Sequence, residues 1–176
     1  MTNAGNRRFI FLLGFMGSGK TTVGQKLAQR LGWRFFDLDG SIEQTLSCTI
    51  AQIFAERGVP FFRQVEHETL RAFLAEAEQG LASVVALGGG TFAQPQNFLL
   101  IRSTAGVTLW LRCSPDQLLF RCATMTNRPL FRDEASFRQL YDERLPFYQQ
   151  ADYTVDTEGR SPEEVVDGII RLALFE

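Results

Sequence analysis

Hydrophobic residues along the chain alternate between short apolar runs and stripes at helical spacing. Five short runs predict strands, at residues 9–13, 33–36, 83–87, 107–111 and 153–156. The first and third are nearly continuous in apolar residues, which is typical of strands buried on both faces. Because helical patterns separate the runs, the sequence predicts an α/β fold of three layers, α/β/α, around a five-stranded parallel sheet.

The helical patterns differ in how clearly they are bounded. Val23, Leu27 and Leu31 recur at helical spacing, and further patterns cover residues 41–46, 49–57, 60–78 and 94–102 and two later segments that begin at Ser114 and Ser161. Each of these serines is followed by proline, as expected at a helix start. The stripe of the segment 60–78 is formed by Phe62, Val65, Thr69, Phe73 and Ala77. Residues 124–136 have no clear period, and we interpret them as a loop that can move as a lid.

Composition narrows the class of protein. With 176 residues, 45% hydrophobic and 22% charged, the chain predicts one globular domain spanning 1–176. A net charge of −2 gives no electrostatic case for binding nucleic acid or a membrane. Cys48, Cys113 and Cys122 are typical of small buried side chains in a reducing compartment, and His67 is the only histidine, which disfavours a zinc site. No signal peptide or membrane span is recognised, so we expect a cytoplasmic protein.

Residues 14–22 carry the clearest chemistry. They match G-x-x-x-x-G-K-[ST], a loop whose backbone N–H groups bind phosphates. The preceding strand and the following helix are the context that this loop requires. Lys20 is then expected at the β- and γ-phosphates of ATP, and the Thr21 hydroxyl at Mg²⁺. The alternative is a glycine-rich turn of purely structural use.

Two further stretches follow predicted strands at the same edge of the sheet. Ligands bind at the carboxyl ends of parallel strands, so the phosphate loop, Asp37 with Asp39, and residues 88–90 are predicted to form one site. Alternation along an extended chain would point both aspartates the same way. One could help to hold Mg²⁺ or its waters, and the other could accept a hydrogen bond from a substrate hydroxyl. Each could instead cap a helix, and Gly88, Gly89 and Gly90 could instead be a flexible turn.

Several arginines lie where a solvated surface charge is not expected. Arg63 is one position from an apolar stripe, and Arg144 lies on the apolar face of its helix. A bound carboxylate could pair with either, although Glu66 or another acid could do so structurally. Arg128 lies in the lid, where an arginine can stabilise charge on a transferring phosphoryl group, whereas Arg132 is interpreted as surface charge.

Taken together, these motifs resemble the shikimate kinase family, small phosphate-loop kinases related to nucleoside-monophosphate kinases. The resemblance is carried by residues 14–24, 37–43, 53–54, 62–63, 88–91, 128–130 and 144–148. It implies transfer of phosphate from ATP, with Mg²⁺, to the 3-hydroxyl of shikimate in aromatic amino-acid biosynthesis. It also implies a phosphate-loop kinase fold with a lid around Arg128.

The resemblance also implies roles for individual residues. ATP contacts are implied for Gly17, Ser18, Gly19, Lys20, Thr21, Thr22, Arg128 and Arg160, and magnesium contacts for Thr21 and Asp37. Shikimate contacts are implied for Asp39, Arg63, Gly88, Gly89, Gly90 and Arg144, and catalytic roles for Lys20, Asp39 and Arg128. One departure is Val59, where many members have Glu, which is either a harmless surface change or a lost salt bridge near Arg63.

Three other functions are compatible with parts of this sequence. A gluconate kinase also binds a compact acid with hydroxyls. A GTPase fits D-x-x-G at residues 37–40, but the chain has no Asn-Lys-x-Asp motif for guanine. A catalytically inactive relative is disfavoured because Lys20, Thr21, Asp39 and Arg128 are all present. We therefore expect a monomeric enzyme whose partner is the small molecule shikimate.

Overall fold

The computed structural model describes residues 7–123 and 133–172. Within these residues, five parallel strands form one sheet in the order β2-β3-β1-β4-β5. Their bounds are β1 Phe9–Leu13, β2 Arg34–Asp37, β3 Ser83–Ala86, β4 Gly106–Arg112 and β5 Tyr153–Asp156. The predicted parallel sheet is confirmed, and all five residues of β1 are buried because this strand lies at the centre of the sheet.

Helices cover both faces of this sheet. They are α1 Lys20–Leu31, α2 Leu38–Leu46, α3 Ile50–Ala77, α4 Pro95–Arg102, α5 Pro115–Ala123, α6 Glu134–Tyr148 and α7 Pro162–Arg171. Alternate residues of β1 point to opposite layers: Ile10 packs with α1 and α7, whereas Phe11 packs in a second core with α2, α3, α5 and α6. The three-layer α/β/α architecture is therefore confirmed.

The longest helix contains a break that the sequence predicts. Helices predicted at 49–57 and 60–78 form one element, α3, interrupted at Gly58, whose φ of 79° and ψ of 171° are not helical. Glycine tolerates this left-handed φ, and Pro60 then restarts the helix without needing a hydrogen bond from its nitrogen. Thr49 begins the element with a capping box that includes Gln52. Val59, beside the break, is 54% exposed, which fits the harmless surface change.

β2 is an edge strand, and its residues Phe35 and Phe36 are half-buried. Two local predictions were wrong in detail. On α3, Val65 and Thr69 are only half-buried, whereas Glu66 is fully buried. The helix expected from residue 41 begins at Leu38, so Asp39 lies in a helical turn and not on an extended strand.

Other predictions on minor features also need correction. Cys48 is half-buried, unlike Cys113 and Cys122. Residues 134–136, assigned to the lid, form the first turn of α6, where the Asp133 side chain accepts a hydrogen bond from the Ser136 N–H. The rest of the lid, residues 124–132, lies outside the described residues. Helix α6 continues through Pro146 to Tyr148. No helix in the described part of the chain is long and apolar enough to cross a membrane.

Candidate active site

The sheet register brings the predicted stretches to one edge. Asp37 is paired with Ala86, and Ala86 with Leu12, so these residues lie level across three neighbouring strands. The phosphate loop begins two residues after Leu12, and the glycine segment, defined here as residues 88–90, begins two residues after Ala86. The convergence expected at the carboxyl ends of parallel strands is therefore present.

The phosphate loop turns directly into α1. Gly17 and Gly19 have φ of 81° and 91°, a left-handed conformation that residues with a Cβ rarely adopt. Lys20, the first residue of α1, donates from Nζ to the carbonyl oxygens of Gly14 at 2.7 Å and Phe15 at 3.2 Å. The lysine thus lies across the loop into which phosphates would bind, with the positive end of α1 beside it.

Asp37 caps a helix, one of the two roles that the sequence left open, and also contacts Thr21. Its Oδ1 accepts from the Gly40 N–H at 3.1 Å and so caps α2, and its Oδ2 accepts from the Thr21 hydroxyl at 2.7 Å. Hydroxyl and carboxylate oxygens suit Mg²⁺, which keeps several water and phosphate ligands of its own. Among the described residues, no three His, Cys, Asp or Glu side chains form a cluster that could hold a metal ion.

Helix α5 supports the phosphate loop from behind, a contact that the sequence did not reveal. Arg121 donates to the Gly17 carbonyl at 3.2 Å and to the Thr157 carbonyl at 3.4 Å. The neighbouring Cys122 thiol donates to the Met16 carbonyl at 3.8 Å. Because α5 ends at residue 123, the loop is tied to the segment that leads into the predicted lid. In the sequence, the only sign of this contact between α5 and the phosphate loop is that Arg121 lies shortly before the predicted lid, which contains Arg128.

Asp39 projects from the first turn of α2 toward the glycine segment. A methyl group built on Gly88 would lie 2.7 Å from Asp39 Oδ1. Although the residue is partly exposed, Oδ1 itself is buried and has no hydrogen-bond partner in the structure as described. This burial, helped by the negative charge of Glu66, raises the pKa of Asp39 to about 6, while Lys20 and Arg63 act in the opposite direction.

Glu66 is fully buried and orients Arg63. Nη1 of Arg63 donates to both carboxylate oxygens of Glu66, at 2.8 and 2.9 Å. Thr91 donates to the same carboxylate at 2.7 Å and Asn97 at 3.3 Å, and Asn97 Oδ1 lies 2.8 Å from Nδ1 of His67. With donors from three segments, the carboxylate is well satisfied and fixes the Arg63 side chain. The spacing of three between Arg63 and Glu66 was the signal for this pair.

Arg63 and Arg144 meet at the glycine segment. A methyl group on Gly90 would lie 2.5 Å from Arg63 Nη2 and 3.2 Å from Arg144 Nη2. One on Gly89 would lie 2.8 Å from Arg144 Nη1. Since glycine lacks this carbon, both guanidinium groups approach the backbone closely and form a pair, called here the arginine clamp. Asp39 lies at Gly88, at the other end of the same three residues.

The structure does not test the remaining predicted ATP contacts, Arg128 and Arg160. Arg160 lies exposed between β5 and α7, where its charge acts on Asp156 and Glu164. Its nucleotide contact stays a prediction. Arg128 and Arg132 lie outside the described residues, so their roles also stay predictions.

Comparison with known proteins decides the family. A family model described as shikimate kinase matches residues 16–173. The chain belongs to the shikimate kinase family. A shikimate kinase of Synechococcus sp. strain CC9605 is 45% identical over 169 residues, covering 94% of this chain and 82% of that protein. Shikimate kinases transfer phosphate from ATP, with Mg²⁺, so a GTPase reading is excluded.

Solved structures agree with this assignment. The fold is similar to that of shikimate kinase from Acinetobacter baumannii in complex with shikimate, with a TM-score of 0.86, 34% identity and coverage of 95% of this chain and 93% of that one. A gluconokinase from Sinorhizobium meliloti has a TM-score of 0.62 and 20% identity, covering 95% and 94% of the two chains. At that identity the likeness shows a shared fold alone, so it gives no support to gluconate as the substrate.

Proposed function

We propose that this protein transfers the γ-phosphoryl group of ATP to the 3-hydroxyl of shikimate, at a site spanning residues 88–90. The observation that carries the proposal is the arrangement along this segment: an unpartnered carboxylate oxygen of Asp39 at Gly88, and the arginine clamp at Gly90. Three residues of chain span roughly 7–10 Å, a length suited to one small ring. A ring bearing a hydroxyl at one end and a carboxylate at the other fits both groups.

The part of the site that binds ATP, called here the nucleotide half, positions the phosphates. Loop N–H groups of residues 17–22 would hold them, and Lys20 would move from the Gly14 carbonyl to the β- and γ-phosphates. Thr21 and Asp37 would hold Mg²⁺, the first directly and the second through the contact that it now makes with the Thr21 hydroxyl. The ion supplies neutralisation of phosphate charge when bound. Arg128 and Arg160 are proposed as further contacts to the nucleotide.

The part of the site that binds shikimate, called here the acceptor half, positions the hydroxyl that attacks the γ-phosphate. Ionised Asp39 only accepts hydrogen bonds, so its free oxygen suits the attacking hydroxyl, whose proton it can take as the bond to phosphorus forms. The arginine clamp matches a carboxylate, because planar guanidinium groups bind both of its oxygens. Glu66 keeps one half of the clamp in place. Phosphoryl transfer depends mainly on such positioning.

The proposal also covers the oligomeric state of the protein, its location in the cell and its partners. We propose that the enzyme acts as a monomer, because phosphate loop, Asp39, glycine segment and clamp all come from one chain, and size-exclusion chromatography with light scattering tests this. We also place it in the cytoplasm, where ATP is available, and fractionation of the source cells tests that. Shikimate is its small-molecule partner, and we propose no nucleic-acid or membrane partner.

Product formation gives the direct test of function. Purified protein with ATP and Mg²⁺ is offered shikimate, gluconate or no acceptor, and phosphorylated products are followed by ³¹P NMR. We expect a new phosphate monoester with shikimate and none with gluconate. Equal turnover of both acids would overturn the proposed substrate, and ATP hydrolysis without an acceptor-linked product would overturn the proposed transfer.

A further inference from the structure

Tyr148 has a buried hydroxyl that core packing alone does not require. It is the last residue of α6, is 2% exposed, and stacks its ring against Trp110 with the centroids 5.9 Å apart. Its O–H donates a hydrogen bond of 2.5 Å to the carbonyl oxygen of Gly89. The chain thus directs a buried phenol at the middle residue of the glycine segment, where phenylalanine would fill the same apolar space.

The same hydroxyl lies beside the arginine clamp. Arg144 is four residues before Tyr148, so both side chains lie on one face of α6. A methyl group on Gly89 would lie 2.8 Å from Arg144 Nη1 and 3.8 Å from the Tyr148 hydroxyl oxygen. The positive charge of the Arg144 guanidinium also acts on the phenol. Tyr148 therefore binds the backbone of the glycine segment and lies beside one arginine of the proposed carboxylate site.

A tethered carbonyl fixes the next N–H group. The Gly89 carbonyl and the Gly90 N–H belong to one planar peptide and point in opposite directions. Without a side chain to restrict it, a peptide between two glycines can rotate over a wide range. The hydrogen bond from Tyr148 removes that freedom and turns the Gly90 N–H away from the phenol. Because burial raises the pKa of Tyr148, the phenol stays a donor at any physiological pH.

We infer that Tyr148 is a positioning residue for the acceptor, which fixes the Gly89–Gly90 peptide and Arg144 as one rigid surface for the carboxylate. It touches no reacting atom, and its effect is confined to acceptor binding. The inference rests on the proposed function, in which the clamp binds the acceptor's carboxylate. It adds a residue to which the sequence analysis gave no role of its own.

Helix α6 offers a matched control. Tyr141 is 8% exposed, and its hydroxyl donates to the Cys113 carbonyl at 3.3 Å, outside the acceptor site. Tyr141→Phe and Tyr148→Phe therefore each remove one buried phenolic hydrogen bond to a backbone carbonyl from the same helix. Their costs in stability should be similar, since the two lost groups are alike.

Steady-state kinetics of the two variants test the inference. For Tyr148→Phe we expect the KM for shikimate to rise about five- to tenfold, the effect of one positioned hydrogen bond, with the KM for ATP and kcat within about twofold of the parent enzyme. Tyr141→Phe should leave all three constants unchanged. Thermal melts establish that both variants are folded, and a shikimate binding titration below both melting temperatures gives the same comparison without turnover.

An Arg144→Lys variant separates failure of this inference from failure of the proposed function. If Arg144→Lys raises the KM for shikimate but Tyr148→Phe behaves like Tyr141→Phe, Tyr148 only stabilises the fold and the inference is overturned. A loss of kcat in Tyr148→Phe with unchanged KM values would also overturn it. If Arg144→Lys leaves shikimate binding unchanged, the clamp itself is misassigned, and the inference falls together with the acceptor geometry of the proposed function.

Discussion

The two halves of the proposed site are built in different ways. The phosphate-binding part of the nucleotide half is contiguous: residues 14–22 supply the loop, the lysine and the threonine, and Thr21 and Thr22 are exposed. The acceptor half is assembled from α2, α3, the glycine segment and α6, and a fully buried carboxylate, Glu66, lies at its centre. A contiguous motif can be recognised from its spacing, whereas an assembled site depends on contacts between distant segments.

This difference predicts that the halves can be broken separately. Changes in the loop should abolish phosphate transfer while the acceptor still binds. Changes around the glycine segment should weaken the acceptor while the nucleotide still binds. The variants below follow this order, from the largest expected loss to the smallest.

Lys20→Ala should remove the most activity. Without the ammonium group, charge on the transferring phosphate is no longer neutralised, so kcat should fall by about a thousandfold or more. Lys26→Ala is the matched control: it is the only other lysine, lies on the same helix and makes an exposed ion pair with Glu163. Near-normal turnover by folded Lys20→Ala protein would remove Lys20 from the mechanism.

Asp39→Asn should lose activity but gain stability. Loss of the ionised carboxylate should lower kcat by roughly a hundredfold or more, because asparagine neither orients the hydroxyl equally nor takes its proton. The parent kcat/KM for shikimate should rise with pH through about 6, as Asp39 of the free enzyme ionises, and this limb should vanish in the variant. A parent profile that is flat across this range would contradict the assignment.

The stability of Asp39→Asn has a definite pH dependence. The pKa of Asp39 is raised in the fold, from 3.8 to about 6, so its ionisation destabilises the native state as pH rises through this window. The cost above this window is on the order of 2–3 kcal/mol. Thermal melts should therefore show the variant more stable than the parent at pH 8, with the difference largely gone at pH 4. A variant that is less stable at pH 8 would contradict the account.

Arg63→Lys should mainly weaken the acceptor. Lysine keeps the charge but cannot pair with Glu66 and a substrate carboxylate in the same fork geometry, so the KM for shikimate should rise about ten- to a hundredfold with little change for ATP. Arg71→Lys, an exposed position on the same helix, is the control. Equal effects on both KM values would indicate a general structural defect.

Gly90→Ala tests the close approach of the clamp with a single carbon. The added methyl group would displace Arg63 and Arg144, so the KM for shikimate should rise by about tenfold, a cost of the size of one lost charged contact. Gly168→Ala is the control: its methyl group meets no atom within 4 Å, and alanine in helix α7 should stabilise the protein by about 0.5–1 kcal/mol. If both variants kept the parent's kinetics, the glycine segment would lie outside the acceptor site.

Sequence patterns predicted the fold more fully than the site. Apolar runs located the strands, and Gly58 with Pro60 located the break in α3, because these signals are local. The helical placement of Asp39 was missed because the chain turns into α2 directly at the end of β2. Glu66 was predicted only as a possible structural partner for Arg63 or Arg144, since nothing local shows that a glutamate is fully buried or that Asn97 and Thr91 reach it. Tyr148 was visible in the motif at 144–148, but its contact with Gly89 is tertiary.

Binding of shikimate to Lys20→Ala and Arg63→Lys, measured by titration calorimetry without nucleotide, tests the separation of the two halves most directly. The account predicts that Lys20→Ala binds shikimate like the parent protein, whereas Arg63→Lys binds it at least about tenfold more weakly. Weakened binding in Lys20→Ala together with undiminished binding in Arg63→Lys would contradict it.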